Sequence, residues 1–103
     1  MTTEETLFHS TGSNITGATK SQMFGKPCYK INCKAFICFY NNSMVFKLNE
    51  PAHSEALKLS GSQLFDPSGK NRPMKEWVQV TFQHAGRWDN YAILSCEYVI
   101  ARS

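Results

Sequence analysis

The sequence predicts an α+β domain of two layers, in which helices pack on an antiparallel β-sheet in the order α-βββ-α-β(β)-α. Three observations support this fold class. From Cys28 to Asn49 the side chains follow the period of two that is typical of strands. Asparagine pairs interrupt that pattern where hairpin turns are expected. From His84 to Ala101 apolar residues recur every three or four positions instead, and the length of 103 residues suits one domain.

The N-terminal region predicts a short helix from Thr3 to His9. Thr3 can cap it, and the acidic Glu4 and Glu5 suit the positive end of a helix. The stretch "STGSNITGATKS" that follows is typical of a loop. We therefore predict that residues 1–22 form an N-terminal helix and a flexible connection, and that residues 23–103 form the α+β domain.

The period-two region contains three predicted strands, "CYKI", "KAFICFY" and "MVFKLN". Asn32-Cys33 and Asn41-Asn42 separate them, and asparagine tolerates the positive φ that two-residue hairpins require. Alternation in the middle strand places three residues on each face: Phe36, Cys38 and Tyr40 on one, and Ala35, Ile37 and Phe39 on the other. Because both sets are apolar, we expect this strand to be central and covered on both sides. A three-residue turn centred on Cys33 is an alternative, and it would set Cys28 opposite Cys38.

The segment "NEPAHSEALKLSG" predicts the second helix. Asn49 is a suitable cap, Pro51 fits the first turn, and Gly61 can end the helix in a left-handed conformation. Leu64-Phe65 predicts a brief strand before the turn sequence "DPSG".

The next segment, "MKEWVQVTF", predicts a longer strand by its alternation. Met74, Glu76, Val78 and Val80 are predicted on one face, and Lys75, Trp77, Gln79 and Thr81 on the other. The last predicted helix, from His84 to Ala101, carries a stripe of mostly apolar residues: Trp88, Tyr91, Ala92, Ser95, Cys96 and Val99.

Composition narrows the function classes without selecting one. Seven Phe, four Tyr and two Trp can fill a core, and the net charge of +3 is only mildly basic. No apolar run approaches the ~20 residues of a membrane span, and "MTTEETLFHSTGSN" has no apolar signal region. We expect a cytoplasmic protein with no membrane partner.

No catalytic, cofactor or metal site is predicted. The cysteines Cys28, Cys33 and Cys38 stand five apart, unlike a zinc knuckle, and Cys96 is remote in sequence. We expect free thiols, with Cys33 exposed at a hairpin tip. No histidine stands in a metal-binding pair and no serine in a nucleophile elbow. A Cys–His pair brought together by the fold stays open as an alternative.

The basic residues supply the candidate interaction surface. Lys70, Arg72 and Lys75 cluster around the turn that leads to Trp77, and Lys20, Lys26, Lys30 and Lys34 precede or occupy the first hairpin. An aromatic residue beside cations can anchor a protein or stack on a base. Lys70, Arg72, Lys75 and Trp77 are the predicted partner-binding residues, although a solvated turn and ordinary sheet packing explain them as well.

Several motifs together resemble the TfoX/Sxy N-terminal-domain family. They are "MFGKPCYKINCKAFICFY", "MVFKL", "GKNRPMKEWVQV" and "WDNYAILSCEYV", and they cover almost the whole chain. The resemblance implies an α/β fold with helices on an antiparallel sheet and no established catalytic residues. It carries over only motif positions: Met23, Phe24, Gly25, Pro73, Met74, Lys75, Trp77 and Val78. Two-domain members regulate natural competence, whereas this chain resembles the first domain alone.

We therefore predict a single-domain, non-enzymatic binding or regulatory module, monomeric or homodimeric, whose partner is a protein. It docks that partner through one face of the sheet or through the rim at Lys70 and Lys75. Direct nucleic-acid binding through the basic loop and first hairpin is the second hypothesis, and it predicts affinity that falls steeply with salt. A small enzyme or ligand pocket between helix and sheet is the third.

Overall fold

A computed structural model describes residues 2–23, 25–66 and 73–102. Within these residues the strands form one antiparallel sheet in the order β1-β2-β3-β4-β6-β5. The strands are β1 Thr19–Met23, β2 Lys26–Ile31, β3 Lys34–Tyr40, β4 Ser43–Lys47, β5 Gln63–Phe65 and β6 Met74–Val80. The helices are α1 Thr3–Ser13, α2 Ala52–Leu57 and α3 Trp88–Ala101, with a 3-10 helix at Phe82–Arg87.

All three helices contribute to one core on the same face of the sheet. Phe8 of α1, Ala56 of α2 and Trp88 of α3 are each fully buried in a cluster with strand residues such as Ile37 and Val78. Burying this apolar surface is the main source of stability in a fold of this size. The predicted fold class, helices layered on an antiparallel sheet, is confirmed.

Both predicted hairpin turns are confirmed. Asn32, Cys33, Asn41 and Asn42 all have positive φ, between 50° and 66°. Two consecutive positive φ angles are the requirement of the type I′ turn, whose twist matches that of the flanking strands. The turn after β2 therefore has two residues rather than three, and Cys33 is exposed at its tip.

A bulge in β3 corrects the predicted faces of that strand. Tyr29 pairs with Ile37 but Lys30 pairs with Ala35, so Phe36 is an extra residue without a partner on β2. Phe36 consequently joins Ile37 in the helix-side core and is fully buried. Strict alternation predicts that Phe36 shares the face of Cys38, and this prediction is wrong. The same bulge sets Cys28 opposite Cys38.

The face of the sheet away from the helices carries a second, smaller apolar cluster. Its buried members are Cys28, Cys38, Val45, Phe65 and Trp77, flanked by Met23, Ala35, Tyr40 and Met74. Cys38 is only 1% exposed and lies on an inner strand, so the predicted covering of both faces of β3 is confirmed. Met74 packs here with Trp77 instead of sharing the face of Val78. The pairing of β5 with β6 breaks its register after Leu64, which ends the alternation assumed for β6.

Several predicted boundaries need correction. Helix α1 extends to Ser13, and Thr2 caps it by accepting a hydrogen bond from the Glu5 amide (3.1 Å). Residues 19–23 form β1, although their polar composition predicts a connection. Helix α3 begins at Trp88, because the residues from Phe82 to Arg87 wind as a 3-10 helix.

The region after α2 agrees with its turn chemistry. Gly61 adopts φ +82°, as predicted for the left-handed end of this segment, although α2 itself already ends at Leu57. The helix begins at Ala52 directly after Pro51, so the prediction that Asn49 caps it is wrong, although the Asn49 carbonyl accepts a hydrogen bond from the His53 amide (2.9 Å). The brief strand predicted at Leu64-Phe65 is present as β5.

Candidate functional site

The predicted basic loop is only partly described. Lys70 and Arg72 lie outside the described residues, as does Phe24 of the family motif. Lys75 is exposed near the start of β6, and its carbonyl oxygen accepts a hydrogen bond from His53 Nε2 of α2 (2.6 Å). The described part of the loop is thus tied to α2 by its backbone, with the Lys75 side chain on the surface.

Trp77 does not belong to an exposed rim. It is 6% exposed and packs in the second apolar cluster with Phe65 and Val45. Stacking on a nucleic-acid base needs an accessible ring face. Trp77 therefore acts in packing in this conformation, and sequence alternation alone did not distinguish the two roles.

The other family-motif positions also lie in structural roles. Gly25 has φ +74° in the turn between β1 and β2, a conformation that L side chains adopt at a cost. Met23 and Met74 flank the second cluster, Val78 is fully buried in the helix-side core, and Pro73 immediately precedes β6. These motif residues therefore explain how the hairpin and the sheet form, and they do not indicate a reactive group.

One feature of the charge distribution was missed by reasoning from single motifs. No Asp or Glu occurs between residues 6 and 49, whereas that stretch holds five lysines: Lys20, Lys26, Lys30, Lys34 and Lys47. A scan of charge along the chain, instead of a count of net charge, is the signal that finds it. Strands β1 to β4 are built entirely from this acid-free stretch.

The fold places four of these lysines on the three strands at one edge of the sheet, with Lys26 near one end of these strands and Lys30 and Lys34 near the other. Lys20 lies on β1, Lys26 and Lys30 on β2, and Lys34 begins β3. We call these four residues the lysine edge. Lys47 stands apart, because it pairs with Glu76 of β6 (Nζ to Oε2, 3.7 Å).

The described contacts of the lysine edge leave its charge largely uncompensated. Lys34 Nζ donates to the carbonyl oxygen of Arg102 (3.5 Å), at the C-terminal end of α3. Lys26 Nζ lies over the ring of Tyr40, 5.6 Å from its centroid. Among the ion pairs of the described residues, none involves the lysine edge. Such a surface attracts anionic groups.

An open cleft of about 440 Å³ lies beside Lys26, where the β1–β2 and β3–β4 turns meet the first turns of α1. Its lining residues are Glu5, Gly25, Lys26, Pro27, Phe39, Tyr40, Asn41 and Asn42. The Glu5 carboxylate is held by His9 (Oε2 to Nε2, 3.5 Å). The cleft therefore presents one cation, one carboxylate and two asparagine amides to solvent.

Glu5, His9 and Tyr29 form a chain of polar contacts that resembles a proton relay. His9 Nδ1 lies 3.0 Å from the Tyr29 hydroxyl, and its other nitrogen faces Glu5. Tyr29 is 5% exposed, and burial raises the pKa of its hydroxyl. A phenol held neutral in a core is a poor nucleophile, so we assign this chain to the docking of α1 on β2.

The remaining reactive groups are similarly held in structure. Burial raises the pKa of the Cys38 thiol to about 12, and the neighbouring Cys28 adds to the rise. A thiol attacks only as the thiolate, so Cys38 is inert at neutral pH. The ring of His84 donates through Nε2 to the Ser60 carbonyl (2.8 Å).

Residues 2–23, 25–66 and 73–102 contain neither a metal-binding cluster nor a membrane-spanning helix. No grouping of three or more His, Cys, Asp or Glu side chains in that part of the chain can hold a metal ion. No helix there combines the length and the apolar character that crossing a bilayer requires.

Comparison with protein-family models, with curated proteins and with solved structures finds no match for this chain. The resemblance to the TfoX N-terminal domain therefore stays a prediction. The geometry and the charge of the lysine edge are the features of the described residues that bear on function.

Proposed function

We propose that this chain is a non-enzymatic binding module of the TfoX N-terminal-domain type, which docks an acidic protein partner through the lysine edge. The observation that carries the proposal is the acid-free stretch from residue 6 to residue 49, folded so that Lys20, Lys26 and Lys30 lie on two adjacent strands. Fields of one sign speed the encounter with an oppositely charged partner and disfavour partners of like charge.

The polar chemistry of the chain supports binding over catalysis. Cys28 and Cys38 are buried thiols with raised pKa values, and Tyr29 is a buried phenol whose pKa is raised in the same way. His53 and His84 each donate through Nε2 to a backbone carbonyl oxygen, which leaves Nδ1 as the basic nitrogen of each ring. A general base must lie within hydrogen-bond reach of a substrate proton, and neither ring lines the open cleft beside Lys26.

Burial of Trp77 favours a protein partner over single-stranded nucleic acid. Binding of single strands combines cations with aromatic rings on which bases stack. The tryptophan nearest the predicted basic loop is 6% exposed, so it offers no stacking face. A lysine ammonium group is a point charge, and it can pair with the carboxylates of an acidic polypeptide without any stacking ring.

The test measures fluorescence anisotropy of three labelled probes at low salt: an extended peptide in which Glu alternates with Thr and Val, the same peptide with Lys for Glu, and single-stranded DNA. We expect the Glu peptide to bind and the Lys peptide to stay free. The double variant Lys26→Ala/Lys30→Ala should weaken binding about tenfold, as loss of roughly 1.4 kcal/mol predicts.

The matched control is Lys58→Ala/Lys75→Ala. It also removes two positive charges, one just after α2 and one near the start of β6. Affinity unchanged in this control supports the lysine edge. If the control loses affinity instead, docking occurs at the Lys75 rim and the lysine-edge proposal fails. Tighter binding of DNA with a steep salt dependence would replace the protein partner by a nucleic acid.

A further inference from the structure

Strand β1 is an open edge of the described sheet. It ends the strand order and pairs only with β2. The opposite edge, β5, has three residues and a break in register, so it offers little continuous backbone. Edges of five regular residues such as β1 are templates on which a further strand can pair.

The pairing of β1 with β2 determines which of its backbone groups point away from the sheet. Met23 pairs with Lys26 across a two-residue turn, which makes it a hydrogen-bonded pair. The next pair, Gln22 with Pro27, cannot exchange two hydrogen bonds because proline has no N–H. Since the two kinds of pair alternate, the N–H and C=O groups of Lys20 and Gln22 point outward.

The surroundings of β1 leave this edge accessible. Thr19, Lys20 and Gln22 are exposed, whereas Ser21 and Met23 are half-buried. The Lys20 and Gln22 side chains lie on the same face as their partners Tyr29 and Pro27, the helix side of the sheet. Their exposure means that α1 does not cover the edge at these positions.

The positive charge of Lys20 determines which kind of strand pairs favourably with β1. An added strand places its side chains about 5 Å from those of β1, so a residue opposite Lys20 is a direct neighbour of an ammonium group. Lys26 and Lys30 lie one strand further in and, since they alternate with Tyr29, on the opposite face from Lys20, so they add to the positive field of this edge without facing the same residues. A second copy of this chain pairing edge to edge would bring its own lysines to this place, which like-charge repulsion disfavours. An extended segment with Glu or Asp at alternate positions has the complementary charge.

We propose that β1 accepts an acidic extended peptide as an additional strand of the sheet, hydrogen-bonded to the outward N–H and C=O groups of Lys20 and Gln22. This rests on the proposed function, since it specifies how the acidic partner docks at the lysine edge. The edge of five residues accommodates a segment of about 17 Å, roughly five residues of extended chain. Main-chain hydrogen bonds supply the affinity, and Lys20, in the field of the other lysines of the edge, supplies the preference for acids.

The decisive variant is Gln22→Pro, which removes one outward N–H and leaves the inward pairing of Ser21 and Met23 intact. Proline is tolerated on edge strands where its missing N–H faces solvent. Gln22→Ala is the matched control, because it alters the side chain and keeps the N–H. We expect Gln22→Pro to bind the Glu peptide at least about tenfold more weakly and Gln22→Ala to bind it within about twofold of the parent.

A second measurement does not depend on how Gln22→Pro folds. Amide hydrogen exchange of the parent protein should slow at Lys20 and Gln22 when the Glu peptide is bound, and stay unchanged at Ser21. Lys20→Glu should reverse the preference from the Glu peptide to the Lys peptide, whereas Lys58→Glu, with the same change in net charge, should not.

The outcomes separate the two proposals. Equal affinity of Gln22→Pro and Gln22→Ala, with no protection of the Lys20 and Gln22 amides, overturns strand addition. Docking at the lysine edge still stands in that case if Lys26→Ala/Lys30→Ala loses affinity. Absence of binding by the parent protein overturns both. A dimer that Gln22→Pro dissociates identifies a second copy as the occupant and overturns the acidic partner.

Discussion

Cys28 lies directly opposite Cys38 on the neighbouring strands β2 and β3, with both thiols buried on the face away from the helices. The bulge at Phe36 creates this opposition, because it adds one residue to β3 between the partners of Tyr29 and Lys30. The pair is free rather than disulfide-bonded, and each thiol has a pKa raised above its ordinary value.

The first prediction concerns thiol reactivity. In the folded protein at neutral pH, Cys33 should react rapidly with a disulfide reagent such as DTNB, while Cys28, Cys38 and Cys96 react slowly. Cys33 is exposed and the other three are buried. Denaturant should release all four at similar rates, and Cys33→Ser should abolish the rapid phase. A rapid phase of more than one thiol contradicts the burial of the Cys28–Cys38 pair.

The second prediction concerns strain in the β2–β3 turn. Cys33 adopts φ 66°, where an L side chain costs roughly 1 kcal/mol relative to glycine. Cys33→Gly should therefore raise the free energy of unfolding by up to about 1 kcal/mol, measured by urea denaturation. Cys33→Ala keeps a Cβ at the same φ and should leave stability nearly unchanged. A gain as large in the alanine variant would trace the effect to the thiol rather than to the backbone.

The third prediction concerns the contact between α1 and β2. A Cβ added at Gly12 would lie 2.6 Å from Cγ of the Tyr29 ring, which is itself packed against Phe8. Gly12→Ala should destabilise the fold by about 1–3 kcal/mol despite the better helix propensity of alanine. Gly86→Ala is the control, because a Cβ there meets nothing within 4 Å. Equal stability of the two variants would mean that α1 shifts freely over the sheet.

The fourth prediction concerns alkaline pH. Burial raises the folded-state pKa of Cys28, Cys38 and Cys96, and burial with the Glu55 hydrogen bond raises that of Tyr91. Above the ordinary thiol value near 9.0 the unfolded chain loses protons that the folded chain retains. Stability is therefore fully present below about pH 9 and decreases as the pH rises further.

Urea denaturation between pH 7 and pH 10.5 checks this sign. Cys38→Ala should flatten part of the decrease, since burial raises the pKa of the Cys38 thiol to about 12. The comparison is made as the change in unfolding free energy with pH, so that a constant cost of the substitution cancels. A rise in stability above pH 9 would contradict the burial of the thiols.

Much of the fold was accessible from local sequence signals. Asn32-Cys33 and Asn41-Asn42 indicated two-residue turns because few residue pairs tolerate consecutive positive φ. The alternation in "MKEWVQV" indicated β6, and the three-to-four spacing after Trp88 indicated α3. These signals depend on residues that are close together in sequence, so they do not depend on how the rest of the chain folds.

The candidate site was harder to predict from the sequence than the fold, and the reasons are physical. Trp77 was predicted at a binding surface beside Lys75, and it is buried because it packs with Phe65 and Val45 in the second cluster. The lysine edge was not predicted, because its four residues are spread over three strands. They become neighbours along one edge only when those strands pair. No single motif in that region carries the acid-free character of the whole stretch.

Local sequence patterns are enough to predict the hairpin turns, the strong strands and the helical stripe of this protein, since these depend on backbone sterics and on local periodicity. The tertiary structure decided that Phe36 turns toward the helices, because burying a phenylalanine ring in the main core outweighs regular pairing at one residue. It also made a strand of the polar segment Thr19–Met23. An edge strand that only half-buries one face, through Ser21 and Met23, has too weak an alternation to identify it, and its conformation comes from the hydrogen bonds offered by β2.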